Sequence, residues 1–252
     1  MIGFGWVVLT GGFLGGAGSL GAALAFVIGG LVVTLVGLTY AELVSAMPRA
    51  GGEHTYAMRG LGARPAFVTS WAMVLGYVAV VGYEAVALPE TVLYLVPDLK
   101  VWRLWSFAGY GVYASWAAVG ILGAVVITAL NYVGIRFASV FQTVAVLFLV
   151  AVGAALLLGS FVGGESDNLQ PLFTGGAAGI TGVLVATPFL FVGFDVIPQS
   201  AEEIDLPFQQ IGKTLVLSVV LAAAWYIMIM LTVSSALPRN QLTASSRAGT
   251  AS

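Results

Sequence analysis

Apolar residues run along this chain in long blocks separated by short polar clusters, without the alternating pattern of half-buried strands. A helix needs about 20 predominantly apolar residues to cross a hydrocarbon core about 30 Å thick. The blocks predict spans over 1–17, 19–47, 66–95, 112–133, 138–162, 179–200 and 212–237, about seven in all, followed by a polar tail at 238–252. They form one transmembrane helical domain. Pro48 ends the second block because it cannot continue a helix. The third block holds Glu84 and Glu90 and is interrupted late by Pro89, while the short NYVGIRF link makes a tight antiparallel hairpin of the fourth and fifth.

The sixth block is the irregular one. From Thr187 to Pro207 it reads TPFLFVGFDVIPQSAEEIDLP, with Gly193 near the expected middle of the span, Asp195 two residues later and Pro198 after that. In hydrocarbon every backbone N–H and C=O must be paired internally, so a helix carrying its own breakers at depth is buried in protein or lines an aqueous cavity. Such discontinuous helices point to a transporter's binding site. Residues 2–4 (IGF) echo residues 192–194 (VGF), each followed by a long uninterrupted span, as in two internal repeats.

Composition sharpens the class. Hydrophobic residues make up 60% and charged residues 8%, with a mean hydropathy of +1.02, which identifies an all-α integral membrane protein embedded in a lipid bilayer. The net charge of −2, without a long basic run, excludes nucleic acid as a partner. With no Cys and a single His there is no thiol nucleophile, disulfide framework or zinc cluster, and no cofactor or metal is expected. An enzyme would need catalytic groups clustered within the spans, and the sequence offers none. Lys and Arg favour the cytoplasmic side. Placing loop 48–65 there collects Arg49, Arg59, Arg64, Arg136 and Lys213 on that side and leaves Lys100, Arg103 and Arg239 on the other.

The candidate residues follow from these placements. Asp195 is an ionisable group inside a span, which by default marks a substrate or proton pathway, although a vestibule position that merely solvates it is the alternative. Glu84 is deeper and without an obvious basic partner, so it is a candidate proton acceptor or counter-charge for a cationic substrate, or a tolerated polar contact when protonated. Phe189, Phe191 and Phe194 flank the break as gating or packing rings. Glu42, Glu202, Glu203 and Asp205 fit a solvated edge, and His54, beside Glu53 and Tyr56, fits a loop-structuring role. Trp102, Trp105 and Tyr110 suit an interfacial aromatic belt. GAGSLG at Gly16 to Gly21 matches a dinucleotide fingerprint only formally, because it lies between membrane spans rather than in a βαβ unit. The pairs Gly12 with Gly16 and Gly159 with Gly163 have the spacing of close helix packing.

MIGFG at the start, PRAGGEHTYA after the second span, NYVGIR with Gln142, and FVGFDVIPQSAEEI in the sixth span occur in this order from Ile2 to about Lys213. In these motifs the chain resembles permeases of the amino acid–polyamine–organocation superfamily. The resemblance implies a LeuT-like five-plus-five inverted-repeat fold with helices 1 and 6 discontinuous, and secondary active transport of amino acids or related amines across the cell membrane by alternating access. It implies that Gly3, Phe4 and Gly5 face a substrate carboxylate and that Phe191, Val192, Phe194 and Asp195 face its amine, with Phe189 as an aromatic gate and Gly193 also in the substrate site. Phe4 puts a bulky ring where the family commonly has Ser, which keeps a decarboxylated amine open as substrate, and 144–158 has no basic residue to carry over a coupling mechanism. The family's larger number of spans implies an incomplete fold here, with the first half of helix 1 and the helices after 237 missing. A non-transporting fragment or assembly partner is therefore the alternative reading. Oligomeric state is not set by these motifs.

Overall fold

The computed structural model describes residues 2–3, 5–107, 109–202, 204 and 207–237. Phe4, Glu203, Asp205 and the 238–252 tail lie outside the described residues. The chain is mostly helical: α1 (Gly5–Ala17), α2 (Ser19–Ala46), α3 (Glu53–Gly60), α4 (Ala63–Leu95), α5 (Ala114–Val133), α6 (Ile135–Gly163), α7 (Gly176–Leu190), the single turn α8 (Val196–Gln199) and α9 (Phe208–Ala236). Among them α2, α4, α5, α6 and α9 are long and apolar enough to cross a membrane, while α1 and α7 are shorter apolar helices.

The centre is where α2, α7 and α9 meet. Half of the apolar stretch of α2 and 39% of that of α9 is buried, against 6% in each of α4, α5 and α6. Lipid is as apolar as Leu, so helices associate in it through close packing and small residues rather than through the hydrophobic effect. Glycines of α2 supply that closeness. A Cβ at Gly30 would lie 2.7 Å from the Ala223 methyl of α9, and one at Gly29 would lie 2.9 Å from Thr187 Cβ of α7. In the space this opens, Phe26 stacks on Tyr226 with centroids 5.2 Å apart, and Phe191 meets Tyr226 edge-on at 5.5 Å. All three rings are essentially fully buried.

The α1–α2 junction turns at Gly18, whose φ of 81° needs no Cβ. It is laced to the segment before α7: Leu20 and Gly21 N–H groups each donate to the Leu172 carbonyl at 3.0 Å, and Thr174 N–H donates to Ala17 O at 2.8 Å. The GAGSLG stretch is thus a helix–helix turn.

Several expectations need correction. The fold is not purely helical, because Arg103–Phe107 (β1) pairs antiparallel with Tyr110–Tyr113 (β2) around Gly109, whose φ is 88°. Tyr110 to Tyr113 pair their backbone across this hairpin, so the helix expected from residue 112 starts at Ala114. Pro89 does not interrupt the third span: α4 continues through it to Leu95. Its ring lies against α5, where a Cβ on Gly120 would come 3.8 Å from Pro89 Cγ, and Trp116 Nε1 of α5 donates to Glu90 Oε1 at 3.0 Å. Finally, the packing glycines are not those with the expected spacing. Cβ atoms at Gly12, Gly16, Gly159 and Gly163 would meet nothing within 4 Å, because spacing does not decide which face of a helix meets a neighbour.

Gly30→Leu should force α2 and α9 apart and lower stability by about 1–3 kcal/mol, whereas Gly12→Ala should stay within about 0.5 kcal/mol of the parent. Thermal melts in detergent check this, and equal melting temperatures for the two variants would contradict the packing assignment.

Candidate functional site: the turn between α7 and α8

Helix α7 stops at Leu190, and residues 191–195 form turns before α8. Pro188 in the last turn of α7 has no N–H to donate. The freed backbone is re-paired locally: Phe191 N–H donates to Thr187 and Pro188 carbonyls at 3.2 Å, and Val192 N–H to Phe189 O at 3.4 Å. Gly193 has φ 109°, a conformation costly for any residue with a Cβ. From the far side, the buried Tyr226 hydroxyl donates to the Leu190 carbonyl at 3.0 Å.

Asp195 closes this turn on itself. Its Oδ1 accepts the Gly193 N–H at 3.0 Å, and its Oδ2 accepts a short hydrogen bond from the Tyr77 hydroxyl of α4. Gln199 Nε2 of α8 donates to the Tyr77 oxygen at 2.7 Å and reaches Glu53 Oε2 of α3 at 3.3 Å. Glu53 also accepts from Tyr40 of α2. A chain of polar side chains therefore runs Asp195, Tyr77, Gln199, Glu53, Tyr40, linking the turn to α4, α8, α3 and α2. Gly52 (φ 45°) permits it: a Cβ there would meet Gln199 Cγ at 2.9 Å. The Tyr40 ring stands edge-on to Phe194 at 5.5 Å and to Tyr56 at 6.4 Å.

Burial holds the Glu53 carboxyl above its ordinary value of 4.5, reinforced by the charge of Asp195 and opposed by the hydrogen bonds from Tyr40 and Gln199. Burial, with Glu53 second, pushes the Tyr56 hydroxyl up to about 12. His54 Nδ1 lies 2.7 Å from Ser70 Oγ and ties α3 to α4, in keeping with a loop-structuring role.

Beside the turn is a cavity of about 300 Å³ lined by Met73, Tyr77, Val80, Phe189, Val192 and Asp195, among others. A larger concavity of about 470 Å³ over Ser45 and Lys213 shares none of these residues. The residues singled out from sequence divide accordingly. Asp195, Val192 and Phe189 line the cavity, with Phe189 edge-on to Tyr83 at 4.9 Å. Phe191 is fully buried against Tyr226 and presents no surface to it. Phe194 packs on Tyr40, and Gly193 supplies the turn itself. Gly5 is buried, and a Cβ there would lie 2.8 Å from Leu190 Cδ2, so the start of α1 abuts the end of α7. Gly3 comes close to Glu84: its Cβ would be 3.8 Å from Glu84 Oε1. Tyr77, Gln199, Tyr226 and Tyr40 were not legible from the sequence, although Tyr77 and Glu84, two helical turns apart, share one face of α4.

Tyr77→Phe removes the donor to Asp195 and the acceptor for Gln199. We expect it to cost about 1–2 kcal/mol, discounted because the site is half-buried, and to be less than additive with Gln199→Ala in a double-mutant cycle; strict additivity would disprove the chain. A raised folded-state value for Glu53 means that its contribution to stability is complete below 4.5 and is lost as pH rises through the raised value. Glu53→Gln should therefore flatten the fall in melting temperature that the parent shows as pH rises from 4.5 to the raised value, and a parent-to-variant difference constant across pH would refute it.

The amino acid permease family model matches residues 1–252. Among relatives, amino-acid permease RocC of Bacillus subtilis (strain 168) is 29% identical over 229 residues, covering 85% of this chain and 47% of the relative. The branched-chain amino acid permease BcaP of the same organism is 24% identical, covering 94% and 53%. Human cationic amino acid transporter 4 is 26% identical, covering 96% and 39%. The chain thus spans about half the length of the first two relatives, at 47% and 53%, and these relatives are transporters rather than enzymes. A multi-pass helical chain with a polar turn in its centre, matched along its whole length by this family, belongs to the amino acid permeases.

Proposed function

We propose that the turn between α7 and α8 is half of the substrate site of a secondary active transporter that moves amino acids or related amines across the cell membrane by alternating access. The observation carrying this reading is Asp195, an acid inside an apolar segment, held beside a cavity by Gly193 and Tyr77. Its carboxylate suits a substrate ammonium, and the aromatic edge of Phe189 and the side of Val192 suit an apolar body. Gly5 at the start of α1 abuts Leu190 at the end of α7, which supports pairing these two segments as the discontinuous helices of a LeuT-like five-plus-five repeat, with loop 48–65 on the cytoplasmic side. Alternating access then amounts to rocking of packed helices around a fixed site.

A second reading has its own observation. The chain covers 47% of RocC and 53% of BcaP, and α4, α5 and α6 bury only 6% of their apolar stretches, and on this reading these residues by themselves hold a site that does not transport unless further helices are present. Uptake of labelled amino acids and amines into proteoliposomes separates the two.

Ligand-dependent thermal stabilisation, screened over amino acids and amines, should disappear in Asp195→Asn and persist in Glu202→Gln. An unchanged shift in Asp195→Asn would remove Asp195 from the site.

A further inference from the structure

We infer that the groove between α2 and α9 binds one anionic phospholipid, with Lys213 on its phosphate and one acyl chain lying along the groove. This site is separate from the cavity beside Asp195 and does not depend on what that cavity takes.

Helices α2 and α9 run antiparallel, with Gly212 at Ala41, Leu215 at Gly37 and Ala223 at Gly30. At the first of these contacts the backbones almost touch, since a Cβ on Gly212 would lie 3.0 Å from the Ala41 Cβ and from its carbonyl oxygen. Ala41 and Gly212 line a concavity of about 470 Å³, and Leu38, Leu217 and Val220 supply its apolar sides. These three side chains are 50%, 58% and 46% exposed, so the groove opens away from the packed centre toward the hydrocarbon.

The lining residues run from Ser45 back to Leu38 on α2 and from Lys213 on to Val220 on α9, seven positions on each (45 − 38 and 220 − 213). Two helical turns give a groove about 10 Å long, about two-thirds of one half of a hydrocarbon core about 30 Å thick. It therefore leads from the ends of the helices into one leaflet, in the direction an acyl chain takes.

Charge identifies the occupant. Lys213 is the one charged residue lining the groove, and it stands near the start of α9, at the end away from the middle of the span. No ion pair of Lys213 occurs among the described residues. The Ser45 hydroxyl already donates to Ala41 O at 2.7 Å, so the ammonium is the lining side chain that can donate to a headgroup. A cation at the mouth and apolar walls inward complement a phosphodiester above a hydrocarbon tail. An apolar helix seated on the same walls would leave the Lys213 charge against apolar surface, which is costly. Arg49 and Arg59 lie in the connection that leaves the same end of α2, and basic residues at a membrane surface attract anionic lipid. The lipid bridges α2 and α9, the pair whose closeness brings Tyr226 to the turn.

Native mass spectrometry and thermal melts of the delipidated chain in detergent test this with phosphatidylglycerol, with phosphatidylcholine of the same acyl chains and with inorganic phosphate. The parent should bind phosphatidylglycerol about fivefold more tightly than phosphatidylcholine and melt at a higher temperature with it, while inorganic phosphate should do neither. Lys213→Gln should bring phosphatidylglycerol down to the level of phosphatidylcholine, and Lys213→Arg, which keeps the charge, should retain the preference and control for folding. Equal affinity of the parent for the two lipids, a preference that survives Lys213→Gln, or stabilisation by inorganic phosphate equal to that by phosphatidylglycerol overturns the proposal. A benzophenone side chain placed at Leu217 reads the occupant in native membranes: capture of phospholipid supports the site, and capture of a second copy of the chain, seen as a doubled mass, overturns it.

Discussion

A chain that turns among tightly packed apolar helices must pair every backbone group it frees, and the packing around residues 191–195 follows from that requirement. The Leu190 carbonyl is taken by Tyr226, the Gly193 amide by Asp195, and the Phe191 amide by the last turn of α7. Tyr226 can reach Leu190 only because α9 lies close to α2 and α7. Gly29 and Gly30 permit that approach, and Phe26 and Phe191 fill the space around the Tyr226 ring. The apolar centre and the polar turn are therefore one construction. Tyr226 belongs to both, with its ring in the core and its hydroxyl on the turn.

The same turn is tied outward through side chains. Asp195 leads to Tyr77, Gln199, Glu53 and Tyr40, which joins α4, α8, α3 and α2 through hydrogen bonds that share atoms. Tyr77 donates to Asp195 and accepts from Gln199 with the same oxygen, so a ligand that draws on Asp195 changes the polarity seen by Gln199 and Glu53. The chain of bonds passes through Glu53 of α3, which lies between the long helices α2 and α4, before it reaches Tyr40. It is thus a physical link between the cavity and the region beyond the membrane-crossing helices.

Much of the architecture was legible before any coordinates. Long apolar blocks located the helices, and Gly193, Asp195 and Pro198 in one block located the irregular segment, because each is costly in a membrane helix for a reason of its own. Glu84 stood out on the same ground. The hairpin at 103–113 was missed because a few aromatic and β-branched residues at the edge of an apolar block look like the block's beginning. The glycine pairs at 12 and 16 and at 159 and 163 misled because spacing along a helix says nothing about whether another helix lies opposite.

What the sequence determined by itself was therefore the mostly helical, membrane-capable character of the chain and the positions along it of Gly193, Asp195, Pro198 and Glu84. Only the tertiary structure decided the facing of each helix: that Phe191 turns into the core while Val192 lines the cavity, that Tyr77 rather than a basic residue meets Asp195, and that Glu84 comes to lie beside Gly3. The physical reason is that lipid-facing and core-facing positions of a membrane helix are equally apolar, so the pattern that reveals the buried side of a soluble helix is nearly absent here.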